Sequence, residues 1–324
     1  MKKILIIGST GQIGSELSIK LRSIYGRDNV ICGYYKPPFP EHFFDAGPTV
    51  EINVLNATDI SNAVKKYKPD TIYNLAAILS ATAEKYPGMG WDIGVGGLIN
   101  CLDIAREFKC AVFTPSSIGA FGPATPKDNT PQDTIQRPNT VYGITKVVGE
   151  LISDYYFSHW GVDTRSVRYP GIISALTPPG GGTTDYAVEI FYKAVRKEKF
   201  ICPLQPGTFM DMMYMPDALN AAINLMEADP TRLIHRNSFN ITAMSMDPET
   251  LATHIRNHYP DFEMEYQIDP LKQTIADSWP NRLDDSCANR EWGWKPEYDA
   301  ERMTKDMINQ LQTKFHTENQ TFCT

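Results

Sequence analysis

The sequence predicts an α/β protein: a Rossmann-like doubly wound parallel sheet with a smaller C-terminal substrate domain. Three observations predict it. Short apolar runs alternate with segments of helical spacing through the first half of the chain. A glycine loop, Gly8-Ser9-Thr10-Gly11-Gln12-Ile13-Gly14, directly follows the first apolar run. Beyond Tyr169-Pro170-Gly171 the rhythm gives way to loops and helices rich in Pro, Gly and Met. Strands alternating with helices in this way build a parallel sheet with crossover helices.

Taken in order, the apolar runs at 4–7, 30–32, 71–75 and 111–114 read as strands. Between and after them, 13–24, 60–67, 98–108 and 141–157 carry the longer apolar spacing of helices, and 164–168 reads as a further strand. The expected division is a nucleotide-binding domain over 1–170, completed by about 208–241 where the chain crosses back near 212–222. A smaller domain over 171–207 and 242–316 follows, with a polar tail over 317–324. The methionines at 210, 212, 213 and 215 read as the packing face of a strand.

The glycine loop is where chemistry first becomes legible. Gly8 permits a tight turn, Gly11 lets the backbone approach a pyrophosphate, and Gly14 lets helix and strand pack closely. The helix that opens at Gln12 and Ile13 supplies N–H groups and the positive end of its dipole. An acidic residue usually follows the second strand to hold the ribose 2′-hydroxyl, but here the chain reads Cys32-Gly33-Tyr34-Tyr35-Lys36. Lys36 is a lone cation with no arginine beside it, and NAD is the expected cofactor.

A second constellation lies downstream. Tyr142 and Lys146 are four apart in a helical segment, which places the ammonium on the same face as the phenol, where it favours the ionised form. A phenolate so assisted is a base, and Ser117 (or its neighbour Ser116) offers a hydroxyl for the oxygen that loses its proton. Further on, Gly180-Gly181-Gly182-Thr183-Thr184-Asp185 leads into a segment whose Ala187, Ile190, Phe191, Ala194 and Val195 share one helical face. Its amino terminus is a candidate receptor for a small carboxylate, and Thr183 or Thr184 is a candidate cap.

Composition narrows the partners. The chain has 324 residues, 42% hydrophobic and 21% charged, and a net charge of −7, which argues against nucleic acid or an anionic membrane as partner. No run is long and apolar enough to read as a signal peptide or membrane span. The expected location is the cytoplasm, or a compartment reached by a transit peptide since removed. Six cysteines are scattered without a C-x-x-C pair and read as reduced and structural. His254 and His258 are four apart but lack the glutamate of a zinc-protease motif, so an exposed amphipathic helix is the reading and no metal is expected. The Asp284-Asp285 pair reads as helix capping rather than two-carboxylate chemistry.

Gly8-x-x-Gly11-x-x-Gly14, Asn74-Leu75-Ala76-Ala77, Ser116-Ser117 and Tyr142-x-x-x-Lys146 occur in the order found in the extended short-chain dehydrogenase/reductases, which the chain resembles over nearly its whole length. The segments Arg282 through Ala288 and Trp292-Gly293-Trp294-Lys295-Pro296 look like that superfamily's closing motif. Within it, three segments resemble the short-chain L-threonine 3-dehydrogenase family. They are Pro170-Gly171-Ile172-Ile173-Ser174 running into the glycine-rich stretch that ends at Ala187, then Met212-Met213-Tyr214-Met215-Pro216-Asp217, and Ala276-Asp277-Ser278-Trp279-Pro280.

The resemblance implies NAD-dependent oxidation of the L-threonine 3-hydroxyl to 2-amino-3-oxobutanoate, in threonine catabolism, by a homodimer joined through helices at 91–108 and 141–157. It implies Ser117, Tyr142 and Lys146 as the catalytic set. Cofactor contacts would come from Gly8, Gly11, Gln12, Ile13, Gly14, Tyr34, Asn53, Val54, Leu75, Ala76, Ala77, Tyr142, Lys146, Tyr169 and Ile172. The substrate would meet Ser80, Ser117, Tyr142, Gly182, Thr183, Thr184, Asp185 and Trp279, the last either a wall of the pocket or a core aromatic. Tyr34 departs from the family's aspartate, Asn53 from an acidic residue and Gly94 from an asparagine. With Gly96 and Gly97, Gly94 also puts three glycines into an expected helix, each costing about 1 kcal/mol against alanine. Two other functions share these motifs: a nucleotide-sugar epimerase or dehydratase, and a dinucleotide-sensing regulator without catalysis. The first needs cations around a diphosphate, and the 178–185 segment has none.

Overall fold

The computed structural model describes residues 1–37, 39, 43–178 and 182–321. Strand β1 (Ile4–Ile7) is buried along its whole length and leads through the glycine loop into α1 (Gln12–Tyr25). Strands β2 (Val30–Tyr34) and β3 (Thr49–Glu51), helix α2 (Ala57–Tyr67) and strand β4 (Thr71–Asn74) follow. Two short helices, α3 (Ser80–Lys85) and α4 (Pro87–Trp91), run through a π-helical turn, Asp92–Gly96, into α5 (Gly97–Phe108). Strands β5 (Ala111–Phe113) and β6 (Ser116–Ser117) precede α6 (Val141–Trp160), and β7 (Thr164–Arg165) and β8 (Val167–Tyr169) complete the first half.

Six strands form one parallel sheet in the order β3-β2-β1-β4-β5-β7, the doubly wound arrangement. Its order reverses between β1 and β4, and such a switch point opens a crevice at the carboxyl ends of the strands.

The single strand expected over 164–168 divides at Ser166. Its first part stays in the main sheet, while β8 pairs with β6 and with β12 (Phe239–Asn240) in a separate sheet. The Ser166 hydroxyl accepts the Ser116 N–H at 3.1 Å, which fixes the chain where it changes sheets. The three glycines near 94 also have a partial account. A Cβ on Gly97 would lie 2.9 Å from Val54 and one on Gly94 3.0 Å from Thr145, so close packing excludes larger side chains there. Gly96 meets nothing within 4 Å, and nothing in the structure explains it.

The second half comprises β9 (Gly171–Ile173), α7 (Tyr186–Val195), β10 (Phe200–Cys202), β11 (Met210–Tyr214) and α8 (Met215–Glu227). After β12 come β13 (Met244–Met246), α9 (Pro248–Arg256), β14 (Met264–Tyr266), α10 (Pro270–Asp277), α11 (Ser286–Trp292) and α12 (Ala300–Thr321). Strand β11 lies between β9 and β13 and forms a seam: Met210 and Met212 pack with Phe191, Trp279 and Met307, while Met213 of the strand and Met215, which opens α8 rather than continuing the strand, pack with Ile4, Leu17 and Phe113. Alternating side chains of one strand thus serve two cores.

Helix α8 packs Ala218, Ala222 and Leu225 onto the first core, as the return of the chain near 212–222 requires. Helix α11 does the same through Ala288, followed by Trp294, although it lies within the segment expected to belong wholly to the smaller domain. The backbone of α12 is helical to Thr321, so residues 317–321 of the expected polar tail continue that helix.

The Asp284 carboxylate accepts the Ser286 N–H at 2.9 Å just before α11, whereas Asp285, at the capping position, makes no side-chain capping bond and accepts from the Trp294 indole at 3.0 Å. His254 sits in the last turn of α9 and His258 lies beyond its end, so one helix face does not present both. The five described cysteines, Cys32, Cys101, Cys110, Cys202 and Cys287, are buried and unpaired, while Cys323 lies outside the described residues. No helix among the described residues is long and apolar enough to cross a membrane.

Candidate active site

The glycine loop turns at the carboxyl end of β1. Gly8 has φ +81°, a left-handed conformation that side chains rarely adopt, and its N–H and that of Ser9 donate to the Gly33 carbonyl. A Cβ on Gly14 would fall 2.3 Å from the Gly8 carbonyl oxygen, so the helix sits on the turn only because that residue is glycine. At Gly11 the nearest protein atom to an added Cβ is 3.4 Å away. The protein itself therefore leaves room there, and the bare backbone faces the crevice.

Ser117 ends β6, with its hydroxyl oxygen accepting the Gly119 N–H at 3.1 Å. Thr140 caps α6 by accepting the Gly143 N–H at 3.1 Å, and the Glu84 carboxylate accepts the Val141 N–H at 2.7 Å. That helix start carries Tyr142 and, one turn on, Lys146. The Lys146 ammonium lies 5.3 Å from the centre of the Tyr142 ring and donates to the Pro115 carbonyl at 2.8 Å, which holds it beside the phenol.

Two glycines that sequence reasoning passed over seat this base. A Cβ on Gly119 would touch Tyr142 Cδ1 and Cε1 at 3.0 Å, and one on Gly143 would collide with the Gly119 carbonyl oxygen at 2.1 Å. The only signal in the sequence was the glycine two residues after Ser117 and the one directly after Tyr142.

A cleft of about 390 Å³ joins the two constellations. It is lined by Gly8, Gly11, Gln12, Ile13, Gly14, Leu75 and Ala77 toward the sheet, by Ser117, Tyr142 and Lys146 at the centre, and by Tyr169 and Ile172 beyond. Ser80, Gly182, Thr183, Thr184, Asp185 and Trp279 close its other side. Ser116 lines it too, but its hydroxyl is committed to the Glu150 carboxylate. Tyr34, Asn53, Val54 and Ala76 lie outside this cleft, on the carboxyl side of β2, β3 and β4. The Tyr34 ring packs edge-on against Phe39, Phe43 and Phe44, and Val54 packs on Gly97. Burial raises the Tyr169 phenol well above its ordinary value, and it donates to the Ala218 carbonyl at 2.6 Å, so it remains a neutral wall.

The substrate end differs from expectation in one respect. Gly180 and Gly181 lie outside the described residues, and neither Thr183 nor Thr184 caps α7. Asp185 occupies the capping position, and its carboxylate accepts the Gly182 N–H at 2.8 Å. The N–H groups of Ala187, Val188 and Glu189 are accepted by the Thr184 and Asp185 carbonyls. Three N–H groups of the first turn of α7 are thus taken up within the segment itself. Side chains add polar groups: Thr183 and Ser80 bring their hydroxyls within 3.3 Å of one another, and the buried Trp279 indole N–H has no partner among the described residues. Trp279 is both wall and core, since it also packs with Ile275, Ala276 and Leu283.

Away from the cleft, His235, Cys287 and Glu291 bring ligand atoms within 4.8 Å of one another. They are already committed. Glu291 accepts the Ile234 and His235 N–H groups and meets the His235 ring at 2.5 Å, while Arg290 donates to the Cys287 sulfur. The cluster ties α11 to the loop before β12.

A glycine turn at the end of a first parallel strand, with a tyrosine–lysine pair and a serine across the switch-point crevice, defines a dinucleotide-dependent enzyme scaffold of the extended short-chain dehydrogenase/reductase type. Residues 4–241 match the NAD dependent epimerase/dehydratase family, and the chain belongs to it, with NAD as its cofactor. It is 53% identical over 318 residues to an uncharacterized epimerase/dehydratase of Staphylococcus saprophyticus, covering 98% of this chain and 99% of that protein. Among solved structures it is similar to L-threonine dehydrogenase from Clostridium difficile, with 54% identity, a TM-score of 0.95, and 97% and 98% of the two chains covered. It is also similar to the holo form of a GalE-like L-threonine dehydrogenase from Cupriavidus necator, with 46% identity, a TM-score of 0.92, and 95% and 99% covered.

Proposed function

We propose that the protein oxidises the 3-hydroxyl of L-threonine with NAD, giving 2-amino-3-oxobutanoate. The observation that carries this reading is the make-up of the cleft. Lys146 is its one cation among the described residues, and the neighbouring residues 179–181, outside the described ones, are Pro, Gly and Gly. A diphosphate-bearing sugar nucleotide needs more positive charge than that, whereas a small zwitterion needs one negative group and a few donors. Asp185 provides a carboxylate for the ammonium. Ser80, Thr183 and the Trp279 N–H, which has no partner among the described residues, provide donors for the substrate carboxylate. The similarity to structures called L-threonine dehydrogenases supports the same substrate.

The NAD pyrophosphate would lie over Gly8, Gly11 and the first turn of α1, and its ribose beside Lys146. When bound, NAD supplies the hydride acceptor. Tyr142, as phenolate, takes the proton from the 3-hydroxyl, and the Ser117 hydroxyl holds the same oxygen. Lys146 keeps positive charge beside the phenol, which favours the form that accepts the proton.

The test follows NADH absorbance with L-threonine and other 3-hydroxy amino acids, with NADP run in parallel. Reduction of NAD by L-threonine is expected, and Tyr142→Phe should abolish it while NAD binding persists. Absence of reduction with every amino acid, together with turnover of a uridine diphosphate sugar, would replace this reading with the epimerase one.

A further inference from the structure

Among the described ion pairs, Arg168–Glu150 has both side chains almost fully buried, at 5% and 4% exposure, and it lies directly behind the base. Glu150 is on α6, four residues beyond Lys146 and eight beyond Tyr142, so the three share one helical face. Its two oxygens receive four donors. Ser116 Oγ donates at 2.5 Å and Arg168 Nε at 3.0 Å to one, and Arg168 Nη2 and Gln136 Nε2 donate at 2.8 Å each to the other.

Arg168 is satisfied in turn. Its Nη1 donates to the Gln132 carbonyl at 2.9 Å and to Asn240 Oδ1 at 3.0 Å, and its plane lies 4.9 Å from the Phe121 ring. Register places Arg168 opposite Ser116, and Tyr169 opposite Ser117. Four elements meet at this pair: the helix of the base, the strand of the serine, the strand running to the cofactor wall at Tyr169, and β12. A small pocket of about 40 Å³ is lined by Lys146, Thr145, Ser116 and Glu150 together, so the carboxylate and the ammonium border the same small space.

We propose that Glu150 and Arg168 are positioning residues: they clamp the Ser117 strand to the Tyr142–Lys146 helix while keeping each other's charge neutral beside the base. This rests on the reading of Tyr142 and Lys146 given above. A buried pair of this kind has a defined electrostatic consequence, because removing one partner leaves the other uncompensated in a low-dielectric site. Left alone, the carboxylate would draw on the Lys146 ammonium and oppose the phenolate, and the guanidinium left alone would favour it.

Other charged groups around the pair are accounted for. On α6, Asp154 accepts from Asn237 at 2.8 Å, and it feels both Glu150 and Arg168. Arg236 is paired with Asp163 at 2.7 Å. Glu84 caps the start of α6, Asp185 lies across the cleft, and Asp103 of α5 accepts the Tyr156 hydroxyl at 2.8 Å.

The experiment records the pH profile of kcat/KM for L-threonine with NAD for the intact enzyme, E150Q, R168M and E150Q/R168M. A unit charge about 12 Å away, the rise of eight residues along α6, at an effective dielectric of about 20 moves the acidic limb by roughly one pH unit. The expected result is a shift down in E150Q, a shift up in R168M, and a return close to the parent profile in the double variant, with the KM for NAD little changed. Arg168→Lys should keep the parent profile. If R168M does not fold, E150Q against the double variant reads the same sign. Unshifted limbs, or shifts in one direction for both single variants, would overturn the proposal while leaving Tyr142→Phe inactive. An active Tyr142→Phe would instead overturn the underlying assignment of the base.

Discussion

Gly119→Ala adds one methyl group against the base and nothing else. Its Cβ would stand 3.0 Å from Tyr142 Cδ1 and Cε1 and 3.5 Å from Ser117 Oγ. Carbon atoms pack best at about 3.5–4.0 Å, so the ring must give way by roughly 0.5–1 Å. Displacing a reacting group by about 1 Å costs on the order of 100-fold in rate, so kcat should fall by roughly 10- to 100-fold, equivalent to about 1.4–2.7 kcal/mol of barrier.

Because the contact is with one half-buried side chain, stability should change far less than turnover. The assay is steady-state NADH formation from L-threonine, with the melting temperature and NAD affinity measured on the same preparation. A kcat within twofold of the parent would refute the claim that Gly119 seats the tyrosine. Gly143→Ala is the contrasting case: its Cβ would meet the Gly119 carbonyl oxygen at 2.1 Å and Pro138 Cβ at 2.5 Å, and the helix would have to lift. That variant should fail as a fold before it fails as a catalyst.

Two further outcomes follow from features outside the cleft. Burial pushes the Asp211 carboxyl up to about 7, against hydrogen bonds from Leu283 N–H and Thr242 Oγ1 that lower it. A carboxyl whose pKa is raised by folding favours the folded state below its unfolded value and loses that advantage as pH climbs through the folded one. Stability should therefore decline between about pH 4 and 7, by at most about 4 kcal/mol. Asp211→Asn, whose amide satisfies both partners, should flatten that decline in urea titrations at pH 5 and pH 8, and an unchanged slope would count against it. The second outcome concerns α6, whose outer face exposes Ile144, Leu151 and Tyr155 at 40%, 62% and 43%, with Trp91 of α4 at 46%. Such a stripe fits a second copy of the chain, so light scattering should report a homodimer that Leu151→Glu converts to monomers. A monomeric parent would remove that interface.

Much of the scaffold was legible because it rests on local rules. The alternation of short apolar runs and helical spacing marked β1, β2, β4, β5 and the helices between them, and the glycine loop marked the turn at Gly8. Tyr142 and Lys146 were legible because a helix brings residues four apart together whatever surrounds it. What the sequence hid depended on contacts between distant segments. Nothing local shows that Ser166 would take the Ser116 N–H and split a strand, or that Asp185, rather than a threonine, would hold the start of α7. Glu150 and Arg168 look like ordinary surface charges until β6, β8 and α6 are assembled around them. Gly119 and Gly143 carry their meaning only in each other's presence.

Strand β11 gives its odd and even side chains to different cores, and that has a mechanical meaning. The strand is a rib common to both interiors. Rotating one against the other would drag Met210 and Met212 out of one interior or Met213 and Met215 out of the other, exposing fully buried side chains to water. The same sharing means that a cut before β11 yields no independent half, so the chain should unfold in one transition.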